Sequence, residues 1–299
     1  MNQQPLMGFL QRTYVPSHGI SEKAAKQMAV AVRAFERYLD RPPLLEDLTE
    51  IQVRDFLAAY GDGRAAATVN SKRRDLLSLW QAAAADDLIT EPNRRRVPRR
   101  KQPKRIPEAW TLEELARLLR RLAELDYEIA GTGIPAAAYW TSIVLAVFAS
   151  GCRISALRST TSADCDLAAD PAYIVVRAEF QKTGEDRIYP LTPEAARAIG
   201  LHFDPNRELV WPWPFSPEYF WKRFRGYVTE AGLMPTRRGL DLFHKLRRSH
   251  VTYLAATAGL EAARRSAGHT DARLTRASYI DPRILPNDPG ISALPTIGR

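Results

Sequence analysis

Apolar residues recur at helical spacing through the first third of the chain. Ala24, Met28, Val32 and Phe35 line one face of a segment that Ser21 is placed to cap and that runs to about Tyr38. Arg41-Pro42-Pro43 ends it, because proline lacks the backbone donor a helix interior needs. Leu48-Thr49 introduces a second helix with Ile51, Phe56, Leu57 and Tyr60 as its apolar positions, broken by Gly61 and Gly63. Thr68 opens a third, with Leu76, Leu77 and Trp80 inward and Lys72, Arg73 and Arg74 available outward. Leu88-Ile89 and Pro92-Asn93 close this helical bundle, predicted over 1–93.

The pattern then stops. Over 94–107 the chain carries Arg94, Arg95, Arg96, Arg99, Arg100, Lys101, Lys104 and Arg105, with Pro98, Pro103 and Pro107 between them. Proline prevents a helix and like charges repel, so an extended basic linker is expected. Periodicity resumes at Thr111-Leu112-Glu113-Glu114, where a threonine followed three residues later by glutamate marks a helix start, and this helix runs through Leu122. Gly131-Thr132-Gly133 reads as a loop. Residues 136–149 are almost continuously apolar and predict a helix central to the core of a second domain, 108–299. Tyr173–Arg177 and Arg187–Leu191 alternate as strands around a turn at Lys182-Thr183-Gly184. Trp211-Pro212-Trp213-Pro214 reads as a loop, and helices follow at about 217–231, 242–257 and 260–266, with a short one around 271–277. The class is mainly α: an N-terminal helical bundle, then a mostly helical domain with a small antiparallel sheet.

Composition narrows the chemistry. A chain of 299 residues accommodates two ordinary domains. No apolar run reaches the length of a membrane span. The first residues carry neither the basic nor the apolar region of a signal peptide, and Cys152 and Cys165 are too few for a disulfide framework, so a reducing cytoplasm is expected. A net charge of +9 and a pI near 9.7 favour a polyanionic partner, and the linker cations are the natural strap across a phosphate backbone.

Scattered through the second domain is a set of groups suited to attack on a phosphodiester. Arg153, in Gly151-Cys152-Arg153, and Arg247, in His244-Lys245-Leu246-Arg247, offer guanidinium forks for the charge that builds on the non-bridging oxygens. His244 and Arg247 are three apart, within about a sixth of a turn of each other on a helix that Asp241 could cap, while Leu242, Leu246 and Tyr253 turn to the core. Lys182, at a hairpin tip, can swing an ammonium into a groove. His269 follows Gly268, ten residues before Tyr279, a nucleophile only with base or positive charge to assist it. His18, His202 and His250 fit no pattern and are read as structural or surface residues.

Taken in order, Arg153, Lys182, His244, Arg247, His269 and Tyr279 resemble the six active-site positions of the tyrosine recombinases, the phage-integrase family. Ala149–Leu157 resembles that family's arginine box, Asp164 and Asp166 fall where its paired aspartates lie, Gln181-Lys182-Thr183-Gly184 resembles its lysine hairpin, and His244–Ser249 its second box. The resemblance covers about 110–283 by motif. It extends more loosely over 10–95, where Thr68-Val69-Asn70 resembles the core-binding domain. Ala156 stands where the family usually has glutamate, Ala267 replaces the usual leucine before Gly-His, and the His269–Tyr279 spacing is one residue longer than the commonest.

The resemblance implies a site-specific recombinase or integrase that cuts and rejoins duplex DNA through a 3′-phosphotyrosine formed by Tyr279. Arg153, Arg247 and His269 would stabilise the transition state. Lys182 would protonate the leaving oxygen, and His244 would handle the tyrosine proton. It implies no metal, cofactor or nucleotide. Lys72, Arg73, Arg94, Arg95, Arg96, Arg99, Arg100 and Lys101 would contact double-stranded DNA. A homotetramer on two DNA sites, a nucleoid location in the cytoplasm and an accessory directionality factor are the expected context. A type IB topoisomerase-like enzyme and a non-catalytic DNA-binding relative are the alternatives.

Overall fold

The computed structural model describes residues 3–181, 183–234, 242–268 and 271–285. The chain divides into two compact units, Met1–Lys104 and Arg105–Arg299.

The first unit is helical. α1 (Leu6–Phe9), a π-helical turn (Leu10–Tyr14) and α2 (Val15–His18) lead into α3 (Glu22–Leu39), α4 (Glu50–Tyr60) and α5 (Ala66–Ala85). Polar caps set the helix starts. The Ser21 hydroxyl accepts from the Ala24 N–H at 3.3 Å, and Thr49 accepts from Gln52 at 3.2 Å, each satisfying a donor the helix leaves unpaired. Met28, Val32 and Phe35 of α3 pack with Phe56 and Leu57 of α4 and with Leu76, Leu77 and Trp80 of α5, as the periodicity predicts. Ile51 does not join them and faces solvent.

Two expectations for this unit are corrected. Lys72 does not point outward: it is 6% exposed, and burial lowers its pKa. Nor is the whole basic run free. Val97 is buried in the helical core, and the Arg73 Nε donates to its carbonyl at 2.5 Å. The Asn70 side chain brackets the Arg100 backbone, accepting from its N–H and donating to its carbonyl, both at 2.9 Å. The Arg100 guanidinium donates to the carbonyls of Leu57, Ala58 and Gly61 at 3.0–3.2 Å, where α4 ends and its carbonyls lack helical partners. Arg73 and Arg100 thus brace the fold of the first unit. Arg94, Arg95, Arg96, Arg99, Lys101, Lys104 and Arg105 are exposed, and no helix forms from 94 to 107, as the prolines dictate.

The second unit builds on α7 (Ala136–Ser150), which packs against α6 (Leu112–Ala123), α9 (Pro193–Gly200) and α11 (Leu242–Ala258). α6 starts with the expected reciprocal cap between Thr111 and Glu114. α8 (Ile154–Leu157), α10 (Pro217–Glu230), α12 (Leu260–Ala267) and α13 (Ala272–Tyr279) complete the helices described. Trp140 packs on Phe220, Phe224 and Tyr227, and Phe224 stacks on Phe243 with centroids 4.0 Å apart, joining α7, α10 and α11 in one aromatic core.

Two small antiparallel sheets flank this core. β1 (Glu128–Ile129) and β2 (Ile134–Pro135) form a hairpin around the Gly131–Gly133 loop. β3 (Cys165–Asp166), β4 (Tyr173–Val176) and β5 (Arg187–Pro190) form a three-stranded sheet, with Ile174 opposite Tyr189 and Val176 opposite Arg187. The sequence predicts β4 and β5 only, since two-residue strands carry no alternation to read. Trp211 lies in a loop as expected but is 1% exposed, its indole N–H donating to the Ser142 hydroxyl at 2.9 Å. Among the described residues, no helix is long and apolar enough to cross a membrane.

Candidate active site

α7 ends at Gly151, whose φ of +62° places it in the left-handed region. A Cβ there would also collide with the His250 ring. Glycine therefore turns the chain sharply, and Arg153 follows as the residue preceding α8, partly exposed.

Arg247 lies deeper than sequence periodicity suggests. Leu242, Phe243, Lys245, Leu246, Ser249 and His250 are all buried, so α11 is covered on nearly every side here. Arg247 itself is 1% exposed, although its spacing sets it with His244 away from the core-facing Leu242, Leu246 and Tyr253. Its guanidinium donates from Nη1 to the Gly151 carbonyl and from Nη2 to the Ala267 carbonyl, the latter at 2.5 Å. The side chain is thereby stretched between the end of α7 and the end of α12. Burial lowers its pKa; Tyr279 opposes that shift and Arg153 adds to it. Even so, a guanidinium stays charged at any physiological pH.

Tyr279 meets this arginine. It is the last residue of α13, slightly beyond the helix end expected from sequence, and is half-buried. The Arg247 Cζ lies 5.6 Å from the centre of its ring. The His244 ring sits edge-on to it with centroids 5.2 Å apart. The Tyr279 carbonyl accepts from Thr252 Oγ1 at 2.9 Å, and that same oxygen accepts from the Asp281 N–H at 3.1 Å. The Asp281 carboxylate, fully buried, accepts from the Ala109 N–H at 2.8 Å and pairs with Arg283. The tyrosine is thus fixed on both sides by α11 and by the start of its own unit.

Arg153, Arg187 and Arg247 all act on the Cys152 thiol, yet burial dominates and pushes that thiol up to about 11. At 1% exposed and with its thiol kept protonated, Cys152 is a packing residue. His250 is likewise structural. Its Nδ1 is 2.7 Å from the Phe148 carbonyl and its Nε2 is 2.7 Å from the Ser266 hydroxyl. A neutral ring with its proton on Nδ1 satisfies both contacts, and burial holds the pKa at about 4. His202, buried beside Ser142, is also lowered to about 4 by burial, and His18 stacks on Tyr14 at the surface.

Of the six sequence-derived residues, Tyr279 contacts both His244 and Arg247, and Arg153 stands close enough to Arg247 to perturb it. Lys182 and His269 lie outside the described residues, as does Asp241. Sequence reasoning misses Thr252, Asp281 and Arg187. Thr252 and Asp281 act through hydrogen bonds to distant backbone and leave no spacing signal. Arg187 shows in the sequence only as the first residue of a strand.

Residues 111–284 match the model of the phage integrase family. A curated relative, the tyrosine recombinase XerC of Bacillus licheniformis, is 26% identical over 183 residues, covering 60% of this chain and 56% of that protein, so the match spans just over half its length. Among solved structures, a lambda integrase (75–356) dimer bound to a COC′ core site superposes with a TM-score of 0.67 at 20% identity, covering 91% of this chain and 94% of that one. The XerH site-specific recombinase bound to palindromic difH substrate gives 0.68 at 18% identity, over 96% and 85%. A lambda integrase tetramer bound to a Holliday junction gives 0.66 at 21%, over 92% and 78%. Sequence identity this low between these structures and the chain speaks for a shared fold.

Proposed function

Because the chain belongs to the phage integrase family, we propose that it is a site-specific recombinase that breaks and rejoins duplex DNA at Tyr279. The observation that carries this reading is the contact of the Tyr279 ring with both Arg247 and His244. A phenol with a pKa near 10 needs help to become a nucleophile, and a cation and an imidazole stand against this one.

In this mechanism the Tyr279 oxygen attacks the scissile phosphorus and its proton passes to His244. The bond to the 5′-oxygen breaks as the 3′-phosphotyrosine forms. Lys182 protonates the departing oxygen, giving a 5′-hydroxyl. Arg247 and Arg153, assisted by His269, hold the two non-bridging oxygens, where charge grows in the transition state. Arg247 is suited to this because its carbonyl partners fix its fork before substrate arrives, so little reorganisation accompanies the reaction. A partner strand's 5′-hydroxyl then reverses the step. The phosphodiester energy is conserved in the phosphotyrosine, and the charge compensation comes from guanidinium groups; metal and nucleotide have no step to perform.

The helical first unit would serve as the core-binding domain, 94–107 as the basic linker and 108–299 as the catalytic domain. Among the strap cations, the exposed Arg94, Arg95, Arg96, Arg99 and Lys101 fit phosphate contact best. Assembly as a homotetramer on two DNA sites is supported by the lambda integrase tetramer, a directionality factor would set the reaction's sense, and the nucleoid is its natural location. The test is trapping on a nicked suicide substrate at a verified target site. A protease-sensitive adduct at the 3′ side of the nick is expected; its absence would favour a DNA-binding relative without catalysis.

A further inference from the structure

We propose that Arg187 is a positioning residue for this reaction: it fixes the end of α12 against which Arg247 is set. The proposal rests on the recombinase reading above.

Three successive carbonyls at the C-terminal end of α12 receive guanidinium groups. Arg187 Nη2 donates to the carbonyls of Arg265 and Ser266, the latter at 2.8 Å. Arg247 Nη2 takes the next one, Ala267. A helix C-terminus leaves its last carbonyls without helical partners and bears partial negative charge, so two cations there satisfy both demands. Gly268 then turns the chain at φ +64°, and a Cβ on it would collide with Arg187 Nη1. The guanidinium therefore occupies space that only glycine leaves open.

The other end of Arg187 is equally fixed. It opens β5, opposite Val176, and its guanidinium lies 4.9 Å from the Tyr189 ring centre. Its neighbour Asp186 accepts from the Ala178 N–H at 2.7 Å and from Arg177 at 3.0 Å, closing the β4–β5 hairpin. Arg187 thus bolts the β4–β5 hairpin to the α12 terminus. All its identified hydrogen bonds run to backbone carbonyls, so its effect on DNA passes through the Ala267–Arg247 contact. A fork displaced by a fraction of an ångström loses its aim at the phosphate.

The experiment uses the full chain in single-turnover cleavage of nicked suicide DNA at saturating protein, followed for a day so that slow variants stay measurable. Arg187→Gln should cleave at least about tenfold more slowly, with DNA affinity within about threefold of wild type. Arg247→Lys keeps a charge but cannot fork to both Gly151 and Ala267. In that background Arg187→Gln should cost less than about threefold, since the link it acts through is gone. Equal losses in both backgrounds would make Arg187 an independent structural residue, and a wild-type rate for Arg187→Gln would dismiss the role outright. If Arg187→Gln melts below the assay temperature, Gly268→Ala, which drives the guanidinium off from the other side, is read by the same two comparisons. A wild-type chain that forms no adduct on a verified site overturns the recombinase reading and this one with it; adduct formation with multiplicative losses overturns this one alone.

Discussion

The Arg247 guanidinium stands 5.6 Å from the Tyr279 ring and is itself held between the carbonyls of Gly151 and Ala267. A buried cation with backbone partners at the ends of two helices holds the fold and, in the proposed mechanism, would also serve the chemistry. Replacing it leaves both carbonyls without their donor in a dry site.

Arg247→Met should therefore lose stability as well as activity. Two orphaned carbonyls cost about 2–4 kcal/mol, partly offset by the apolar side chain. Arg153→Met removes a partly exposed group and should leave the melting temperature nearly unchanged while cleavage falls. Equal melting temperatures for both variants would contradict the burial argument.

The strap separates two kinds of arginine. Neutralising Arg95, Arg96, Arg99 and Lys101, which are exposed, should weaken DNA binding on many sequences and flatten the slope of log affinity against log salt by about 0.9 for each phosphate no longer neutralised. Arg100→Ala should instead destabilise the first unit, because its fork holds the carbonyls of Leu57, Ala58 and Gly61. A salt slope flattened by a full unit in Arg100→Ala, at unchanged melting temperature, would return this arginine to the DNA-contacting group.

Acid should loosen the second unit before its carboxylates titrate. His250 and His202 have folded pKa values of about 4, against roughly 6.5 when unfolded. Below pH 6.5 the unfolded chain takes up protons that the folded chain refuses. Stability is therefore complete above that pH, declines as pH falls toward 4, and levels off below it with a limiting loss of about 3 kcal/mol for each histidine. Asp47 and Asp281, whose pKa values are lowered, lose their contribution only as pH falls below about 4, so the interval from 6.5 to 5 isolates the histidines. Urea unfolding from pH 7.5 to 5 should show the decline, and His250→Gln should reduce its slope.

Much of this was legible in the sequence because the main helices have strong local signals. Ser21, Thr49 and Thr111 mark helix starts by side-chain capping, and the caps form where expected. Gly151 marks a turn that only glycine tolerates beside His250. What the sequence does not reveal is set by tertiary packing. Lys72 reads as outward in a run of three cations with Arg73 and Arg74, but the packing of α5 buries it while Arg74 stays exposed. Arg100 resembles any other linker cation until the open end of α4 gives it partners. Tyr279, His244 and Arg247 are recognisable as letters, but their contact depends on Thr252 and Asp281, which hold α13 to α11 through hydrogen bonds no spacing encodes.

Lys182 should act on the leaving group. Lys182→Ala should cleave an ordinary phosphodiester poorly and recover substantially on a 5′-bridging phosphorothiolate, whose thiolate departs without protonation. Equal impairment on both substrates would reassign the lysine to positioning. Cleavage by wild type should also persist in EDTA, and a strict need for magnesium or manganese would remove the mechanism.

Everything catalytic depends on the Tyr279 hydroxyl, the one atom proposed to become bonded to DNA. The ring's place comes from other groups: Thr252 holds its carbonyl, Asp281 fixes the next turn, and His244 and Arg247 contact its faces and edge. Phenylalanine keeps every one of those backbone and ring contacts and loses only the oxygen. Tyr279→Phe should therefore melt within about 1 kcal/mol of wild type, the scale of one net hydrogen bond, and bind DNA with similar affinity. It should form no covalent complex and no recombinants. With wild type, the adduct should map to the peptide around Ser278–Asp281. An adduct that survives in Tyr279→Phe would show that another residue attacks the phosphorus, and the roles assigned to His244 and Arg247 around this ring would have to be redrawn from that residue outward.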